Sequence, residues 1–442
     1  MTALTDWVEH AVHWQVYPLG FLAAPTTEGS DSSTVQHRLP RLAGWLDYAV
    51  ELGASVVQLG PIFAAESHGY DTVDHFRIDP RLGDEHDFDS FVLAAHERGV
   101  RVVLDGVFNH VGRSHPAFRS ASTGDDSPYA DWFIRDRDGS YRTFEGHSHL
   151  VVLNHDNPAV ADYVASVLDH WLDRGADGWR LDAAYAVPPS FWARVLPAVR
   201  SRHHQAWFVG EVIHGDYLAT VAESGLDSLT QYELWKALWS SINDANFFEL
   251  AWALKRHNEF LDRFAPLTFL GNHDVTRIAS RLGDSRHLAH ALVLLFTLGG
   301  VPSVYYGDEQ AFRAVKQERA GGDDEIRPAF PDSPEALSPL GVDVFRLHQD
   351  LIGLRRRHSW LHRARTSELS LANKQLSLAV SAGENRLVVA LNLDDATTEL
   401  AAGETAAVLL ASAPEAAVPL HRSSDGSGTT VTIEPHGWAI LA

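Results

Sequence analysis

The chain has 442 residues, 45% hydrophobic and 10% aromatic, enough to bury a large core in two or three domains, which excludes a disordered polymer. Its 36 basic and 58 acidic side chains give a net charge of -22, so no nucleic acid and no anionic membrane is expected as a partner, whereas a neutral ligand is. There is no cysteine, which removes disulfides, thiolate chemistry and cysteine-ligated zinc.

Met1 to His10 carries no basic segment followed by an apolar run, and no stretch approaches the length of a membrane span, so a cytoplasmic protein is expected. Eight short segments rich in β-branched and aromatic residues then recur, at 13–18, 56–62, 101–108, 178–183, 206–212, 228–234, 266–272 and 303–309. Helical patterns separate them, which is the signature of a parallel sheet built from βα units. Eight such units predict an α/β fold, a closed (β/α)8 TIM barrel. Leu39, Leu42, Leu46 and Val50 predict one apolar helix face ending at Gly53. Val160, Tyr163, Val164, Val167, Leu168, Trp171 and Leu172 predict another, closed by Gly175.

Two regions break the alternation. Residues 112–157 are polar and turn-rich yet carry Phe118, Tyr129, Trp132, Phe133, Tyr141 and Phe144. A structureless loop of that length is rare, so a small inserted domain is predicted, and its place after the third strand puts it on the catalytic face of a barrel. After 361 the helical pattern gives way to alternating runs such as 386–392 and 430–433 with Gly-rich turns, which predict an antiparallel β-sandwich. The Ala-rich stretch at 401–417 reads as surface. The expected plan is therefore a barrel over 1–111 and 158–361, an insertion over 112–157 and a sandwich over 362–442.

Barrel enzymes carry their catalytic groups at the C-terminal ends of the strands. Those ends here hold Tyr70 and Asp71 after the second strand, Asp105, Asn109 and His110 at the third, and Arg180 and Asp182 at the fourth. Glu211 follows the fifth, His273 and Asp274 the seventh, and Asp308 and Glu309 the eighth. Charged side chains are seldom buried without a partner or a task, so their convergence predicts a site, although each one alone is equally a structural polar group.

In Gly178-Trp-Arg-Leu-Asp182 the period of two in a strand puts Arg180 and Asp182 on one face. Such a pair in isolation is explained as well by a structural ion pair. An arginine beside Asp182 also keeps it ionised, which suits a nucleophile. Glu211 ends an apolar run with no arginine beside it in sequence, a setting that raises a carboxyl group toward the range of a general acid. One ionised and one protonated carboxyl are what glycoside hydrolysis needs. A metal-dependent hydrolase with Asp105, His110, Glu211, His273 and Asp274 as ligands is a reading from another class, opposed by Arg180, which would repel a cation. A non-catalytic sugar-binding protein is a third. Tyr70, Trp132, Phe133 and Tyr185 offer flat faces for pyranose rings, or core packing instead.

Taken in order, Asp105-Gly-Val-Phe-Asn-His110, Gly178-Trp-Arg-Leu-Asp182, Gly210-Glu211-Val212 and Phe269-Leu-Gly-Asn-His-Asp274 resemble the four main motifs of the α-amylase family, glycoside hydrolase family 13. His68-Gly-Tyr-Asp71, Leu153-Asn-His-Asp156 and Gly300-Val-Pro-Ser-Val-Tyr-Tyr-Gly307 resemble its secondary motifs, so the resemblance covers nearly the whole chain. It implies that Asp182 is the nucleophile, Glu211 the general acid/base and Asp274 the third carboxylate of a retaining mechanism, with the first two about 5–5.5 Å apart. It further implies substrate binding by Tyr70, Asp71, Asp105, His110, Arg180, Tyr185, Val212 and His273. Gly321-Gly-Asp-Asp-Glu-Ile-Arg327 resembles a sugar-holding loop of neopullulanase-like and oligosaccharide-acting members, which adds Asp324 and Arg327.

Ala183-Ala-Tyr-Ala-Val187 stands where many endo-acting amylases carry a Lys-His pair. No cofactor and no catalytic metal is expected; Asn109 matches a calcium ligand of the family, while the missing histidine counts against a structural calcium. The expected partner is an α-glucan or oligosaccharide, with hydrolysis of mainly α-1,4 bonds in maltooligosaccharides, cyclodextrins or related glucans. Transglycosylation by the same residues is the alternative, and the oligomeric state is left open.

Overall fold

The computed structural model describes residues 6–26, 34–319, 321–405, 407–413, 418–422 and 428–442. They fall into two compact units, one running to residue 230 and including 319–338, the other holding 231–318 and 339–442.

In the first unit the parallel strands are β1 (His13–Val16), β2 (Val56–Leu59), β3 (Arg101–Gly106), β4 (Gly178–Leu181), β5 (Trp207–Gly210) and β6 (Ser228–Leu229), each beside the next in sequence. Asp105 on β3 lies opposite Arg180 on β4, which lies opposite Val209 on β5. All four residues of β1, β2, β4 and β5 are buried, so these strands show no polar alternation, as expected for a parallel sheet covered on both faces. In the second unit β7 (Leu267–Phe269) and β8 (Val301–Tyr305) pair in parallel, Leu267 opposite Val301. These are the eight parallel strands of a (β/α)8 barrel.

Every predicted strand segment overlaps one of them, with two local corrections to the strands and one to a helix. Only Ser228 and Leu229 of the sixth segment are strand; from Tyr232 the chain is helical to Asn243, started by the Gln231 side chain, which accepts the Leu234 N–H. β8 ends at Tyr305, so Asp308 and Glu309 sit on a 3-10 turn beyond it. The helix predicted through Leu39 and Val50 is two helices, Leu39–Ala43 and Leu46–Leu52, and Val50 is exposed because the break at Gly44 turns it away from the core. Gly53 still ends the second with φ +102°, a conformation that glycine adopts without Cβ strain. The helix Pro158–Asp173 is continuous and buries Val160, Val164, Val167, Leu168, Trp171 and Leu172.

A hairpin, Phe63–Ala65 with Thr72–Ile78, was not foreseen; its turn carries His68, Tyr70 and Asp71. Within the insertion His110–Gly112 pairs antiparallel with Leu150–Val152, so the segment returns to the point where it left β3. Phe118 packs edge-on against Phe133 and Tyr141, at 5.2 and 4.9 Å between centroids, forming its small core.

From Arg365 the chain is β-structure: a five-stranded sheet of Arg365–Leu371, Gln375–Ala382, Asn385–Asn392, Trp438–Leu441 and Val408–Ala411, and a three-stranded sheet of Thr398–Gly403, Thr429–Ile433 and Leu420–Arg422. Val388, Ala390 and Leu441 from the first meet Leu400, Val431 and Ile433 from the second in one apolar cluster. The Ala-rich stretch is therefore not simply surface: Leu400 and Ala402, two apart on one strand, both face this core. Residues 406 and 414–417 of that stretch lie outside the described residues. Among the described residues no helix is long and apolar enough to cross a membrane.

Candidate active site

The end of β4 gathers four charged side chains, Arg180, Asp105, Asp182 and Glu211. Arg180 is buried, and its Nη1 lies 2.8 Å from both oxygens of Asp105 on β3 and 2.8 Å from Asp182 Oδ1. Its Nη2 is 2.6 Å from Glu211 Oε1, just past β5. One guanidinium thus ties together carboxylates from three adjacent strand ends. Burial alone would lower its pKa, but Asp105, Glu211 and Asp182 outweigh burial and raise it well above the ordinary arginine value.

Glu211 does not sit apart from arginine, as its sequence surroundings suggested. Besides Arg180 it accepts the Ala183 N–H on Oε2 at 3.0 Å. Ala183 directly follows Asp182 and has φ +44°, a left-handed conformation that costs a non-glycine residue energy and is found at functional turns. Glycine is required close by: a Cβ on Gly178 would come within 2.5 Å of the Trp207 carbonyl on β5.

Around this clamp, Tyr70 donates to Asp105 Oδ2 at 3.2 Å. His110 is buried, with Nε2 at 3.1 Å from the Tyr70 carbonyl and Nδ1 at 3.1 Å from the Asn109 amide. Burial depresses its pKa to about 3, so it is a neutral ring near pH 7. Phe144 of the insertion stacks on it at 4.7 Å. Asp71 accepts from Ser67 N–H and hydroxyl, at 3.1 and 2.5 Å, and is buried. Tyr185 is half-buried and donates to Glu145 of the insertion at 2.7 Å.

Three predicted contact residues are placed differently from the rest. Val212 is buried, its N–H bonded to Thr230 Oγ1 and its carbonyl to the Tyr217 hydroxyl, so it braces the Glu211 turn. Arg327 lies 4.7 Å over the Tyr17 ring and pairs with Asp323 at 3.1 Å. Asp324 is exposed. Of the proposed aromatic platforms, Phe133 is core and Trp132 packs on Tyr163 at 5.2 Å.

In the second unit His273 is buried and its Nε2 lies 2.9 Å from Asp274 Oδ2. The Asp274 N–H donates to Asn272 Oδ1, whose amide donates to the Tyr232 hydroxyl at 2.8 Å. Arg277, missed in sequence although it stands three residues beyond Asp274, is buried, donates to Asp308 Oδ1 at 3.0 Å and stacks 4.2 Å from the Tyr305 ring. Burial pushes the Asp308 carboxyl up despite that arginine. Glu309 is fully buried and accepts the Gly307 N–H at 2.9 Å, a structural role that its place in the sequence did not reveal.

Among the described residues, two groups could gather around a metal ion, Asp284 with His287 and His436, and His37 with Asp84 and Asp87. The Asn109 amide lies 3.1 Å from His110 Nδ1.

Residues 15–346 match the family model described as Alpha amylase, catalytic domain. The chain is 30% identical over 427 residues to a cyclomaltodextrinase of a Bacillus species, spanning 88% of this chain and 74% of that one. It is 31% identical over 410 residues to neopullulanase 2 of Thermoactinomyces vulgaris, spanning 84% and 67%. The solved structure of the cyclic alpha-maltosyl-(1-->6)-maltose hydrolase of Arthrobacter globiformis, in complex with cyclic alpha-maltosyl-(1-->6)-maltose, matches with a TM-score of 0.81 at 27% identity over 100% of both chains.

Proposed function

The chain belongs to the α-amylase catalytic-domain family of glycoside hydrolases, and from that premise we propose that it cleaves α-glucosidic bonds, mainly α-1,4, in maltooligosaccharides, cyclodextrins or related glucans with retention of configuration. The observation that carries the reading is the Arg180 clamp on Asp105, Asp182 and Glu211.

A guanidinium 2.8 Å from Asp182 stabilises its carboxylate form, the form that attacks the anomeric carbon. As the C1–O bond breaks, Glu211 gives its proton to the departing oxygen and a covalent glycosyl ester forms on Asp182. Glu211, now a carboxylate, takes a proton from water, which releases the sugar and restores both groups. To serve as the donor, Glu211 must exchange a present partner, such as Arg180 or the Ala183 N–H, for the glycosidic oxygen. Asp274 is assigned the third carboxylate, and Tyr70, Asp71, Asp105, His110, Arg180, His273 and Tyr185 the hydroxyls and ring face of the bound glucose. Asp324 and Arg327 are assigned sugar contacts further along the chain. This chemistry calls for no cofactor. The metal-dependent alternative has lost ground, because Arg180 already holds Asp105 and Glu211, two of its intended ligands.

The neutral, multiply hydroxylated substrate accords with the strongly acidic charge, which suits neither nucleic acid nor anionic lipid. A relative named intracellular maltogenic amylase, from Bacillus subtilis, supports a location inside the cell. Time-resolved products from maltotriose, cyclodextrin and pullulan test the reading. Shorter sugars of retained α-configuration are expected; early products longer than maltotriose would make the chain a transglycosylase instead, and no cleavage of any of the three would remove the assignment.

A further inference from the structure

Far in sequence from the catalytic motifs, the 3-10 turn Ser285–His287 leads into the helix Leu288–Thr297, and the turn before the last strand, Trp438–Leu441, brings His436 against it. Both segments belong to the second unit. His287 Nε2 and His436 Nδ1 face each other at 2.9 Å although 149 residues separate them. Both rings are largely buried, with the His436 side chain 10% exposed. Asp284 completes the group: one carboxylate oxygen and the two ring nitrogens all lie within 4.8 Å of one another.

Neighbouring side chains hold these groups in place. His436 Nε2 is 2.7 Å from Asp395 Oδ1. A ring hydrogen on Nε2 donates to that oxygen, and Nδ1 then turns its lone pair toward His287. A carboxylate on the far nitrogen is how proteins orient a metal-bound imidazole. Arg286 occupies both oxygens of Asp284, with Nε 3.0 Å from each and Nη2 2.6 Å from Oδ2; its side chain is exposed, unlike the buried Arg180, so it has room to swing into solvent when an ion takes one of those oxygens. His436 also has φ +54°, a strained position for a residue with a Cβ.

We propose that Asp284, His287 and His436 form a binding site for one divalent transition-metal ion of the zinc class, which ties the helix Leu288–Thr297 to the C-terminal strands. Two imidazoles and a carboxylate, without thiolate, make a three-ligand set of the kind zinc accepts, leaving a fourth position for water. Zinc–nitrogen bonds near 2.0–2.1 Å put two nitrogens on one tetrahedral ion roughly 3.3 Å apart, so the rings need to part by only a few tenths of an ångström. The competing arrangement is a direct hydrogen bond from His287 Nε2–H to His436 Nδ1, with no ion.

The full chain without a histidine tag, stripped by EDTA and freed of it, separates the two. Calorimetric titration with Zn2+ is expected to give one site per chain and a rise in melting temperature, and Co2+ to give visible absorption typical of low coordination. Asp395→Asn is expected to weaken Zn2+ about 10- to 100-fold, the effect of removing such an orienting carboxylate. His436→Ala is expected to abolish the site. Asp284→Asn, a change at a partly exposed side chain, is expected to fold normally and weaken binding, which covers the case in which the histidine variant misfolds. Absence of saturable Zn2+ binding, or a Zn2+ affinity unchanged in both Asp284→Asn and His436→Ala, overturns the proposal and leaves the hydrogen bond alone.

Discussion

Arg180 Nη2 lies 2.6 Å from Glu211 Oε1, while the same guanidinium, through Nη1, holds Asp182 two residues further along its own strand. The residue proposed as nucleophile and the residue proposed as proton donor therefore share one cation, and disturbing it should disturb both.

Arg180→Lys keeps the charge but not the fork, because an ammonium cannot bond three carboxylates in the plane of a guanidinium. We expect kcat/KM on maltotriose to fall by about 10²-fold or more, in the range seen when a fixed electrostatic group is removed from an active site. Arg180→Ala leaves Asp105 buried without its countercharge and should cost about 3–5 kcal/mol of stability. Steady-state kinetics and denaturant titration check the pair; near-parental kcat/KM in the lysine variant would make Arg180 a purely structural residue.

The two carboxylates can be told apart by leaving group. Asp182→Asn should lose nearly all turnover on every glucan. Glu211→Gln should suffer most on unactivated maltosides, which need a proton on the departing oxygen, and less on maltosyl fluoride, which does not. With that fluoride it should accumulate a glycosyl ester, found by mass spectrometry on a peptide containing Asp182. An adduct on any other carboxylate would reassign the nucleophile.

Acid should destabilise the fold earlier than carboxylate protonation alone would. Burial lowers His13, His75, His257 and His348 to about 4 and His110 to about 3, from the ordinary histidine value of 6.5. Each ring is neutral when folded and takes up a proton more readily when unfolded, so between about 4 and 6.5 the unfolded state binds more protons. Stability then rises with pH through that window and is lost as pH falls through it, by about 1.4 kcal/mol per pH unit for each such histidine. Melting temperatures from pH 7.5 to 4.5 measure this. His348→Gln should flatten the profile, and an unchanged slope in that variant would contradict the burial argument.

Gly178→Ala tests how closely β4 and β5 approach. The added methyl group meets the Trp207 carbonyl, a backbone atom that cannot rotate away. We expect a loss of about 1–3 kcal/mol from overpacking, together with reduced activity as Arg180 and Asp182 shift on the displaced strand. The denaturation midpoint and kcat of the variant decide it; a parental midpoint would mean that the strands separate freely there.

What the chain order alone determined is whatever repeats locally. A run of apolar residues ending in Asp182, or in Gly210-Glu211, declares a strand and its end, because period and burial are properties of neighbouring residues. The eight strands and the family of the chain were legible for that reason. The tertiary structure decided what depends on pairs far apart in sequence. Register across β4 and β5 carries Arg180 to Glu211, which no spacing along the chain implied. It turns Val50 outward after a helix break, pairs Arg327 with Asp323, and buries Glu309 on a backbone N–H. It also brings His287 to His436 across 149 residues. The reason is physical: a side chain's direction follows from its own backbone, but its partner follows from the packing of elements that the backbone reaches only after folding.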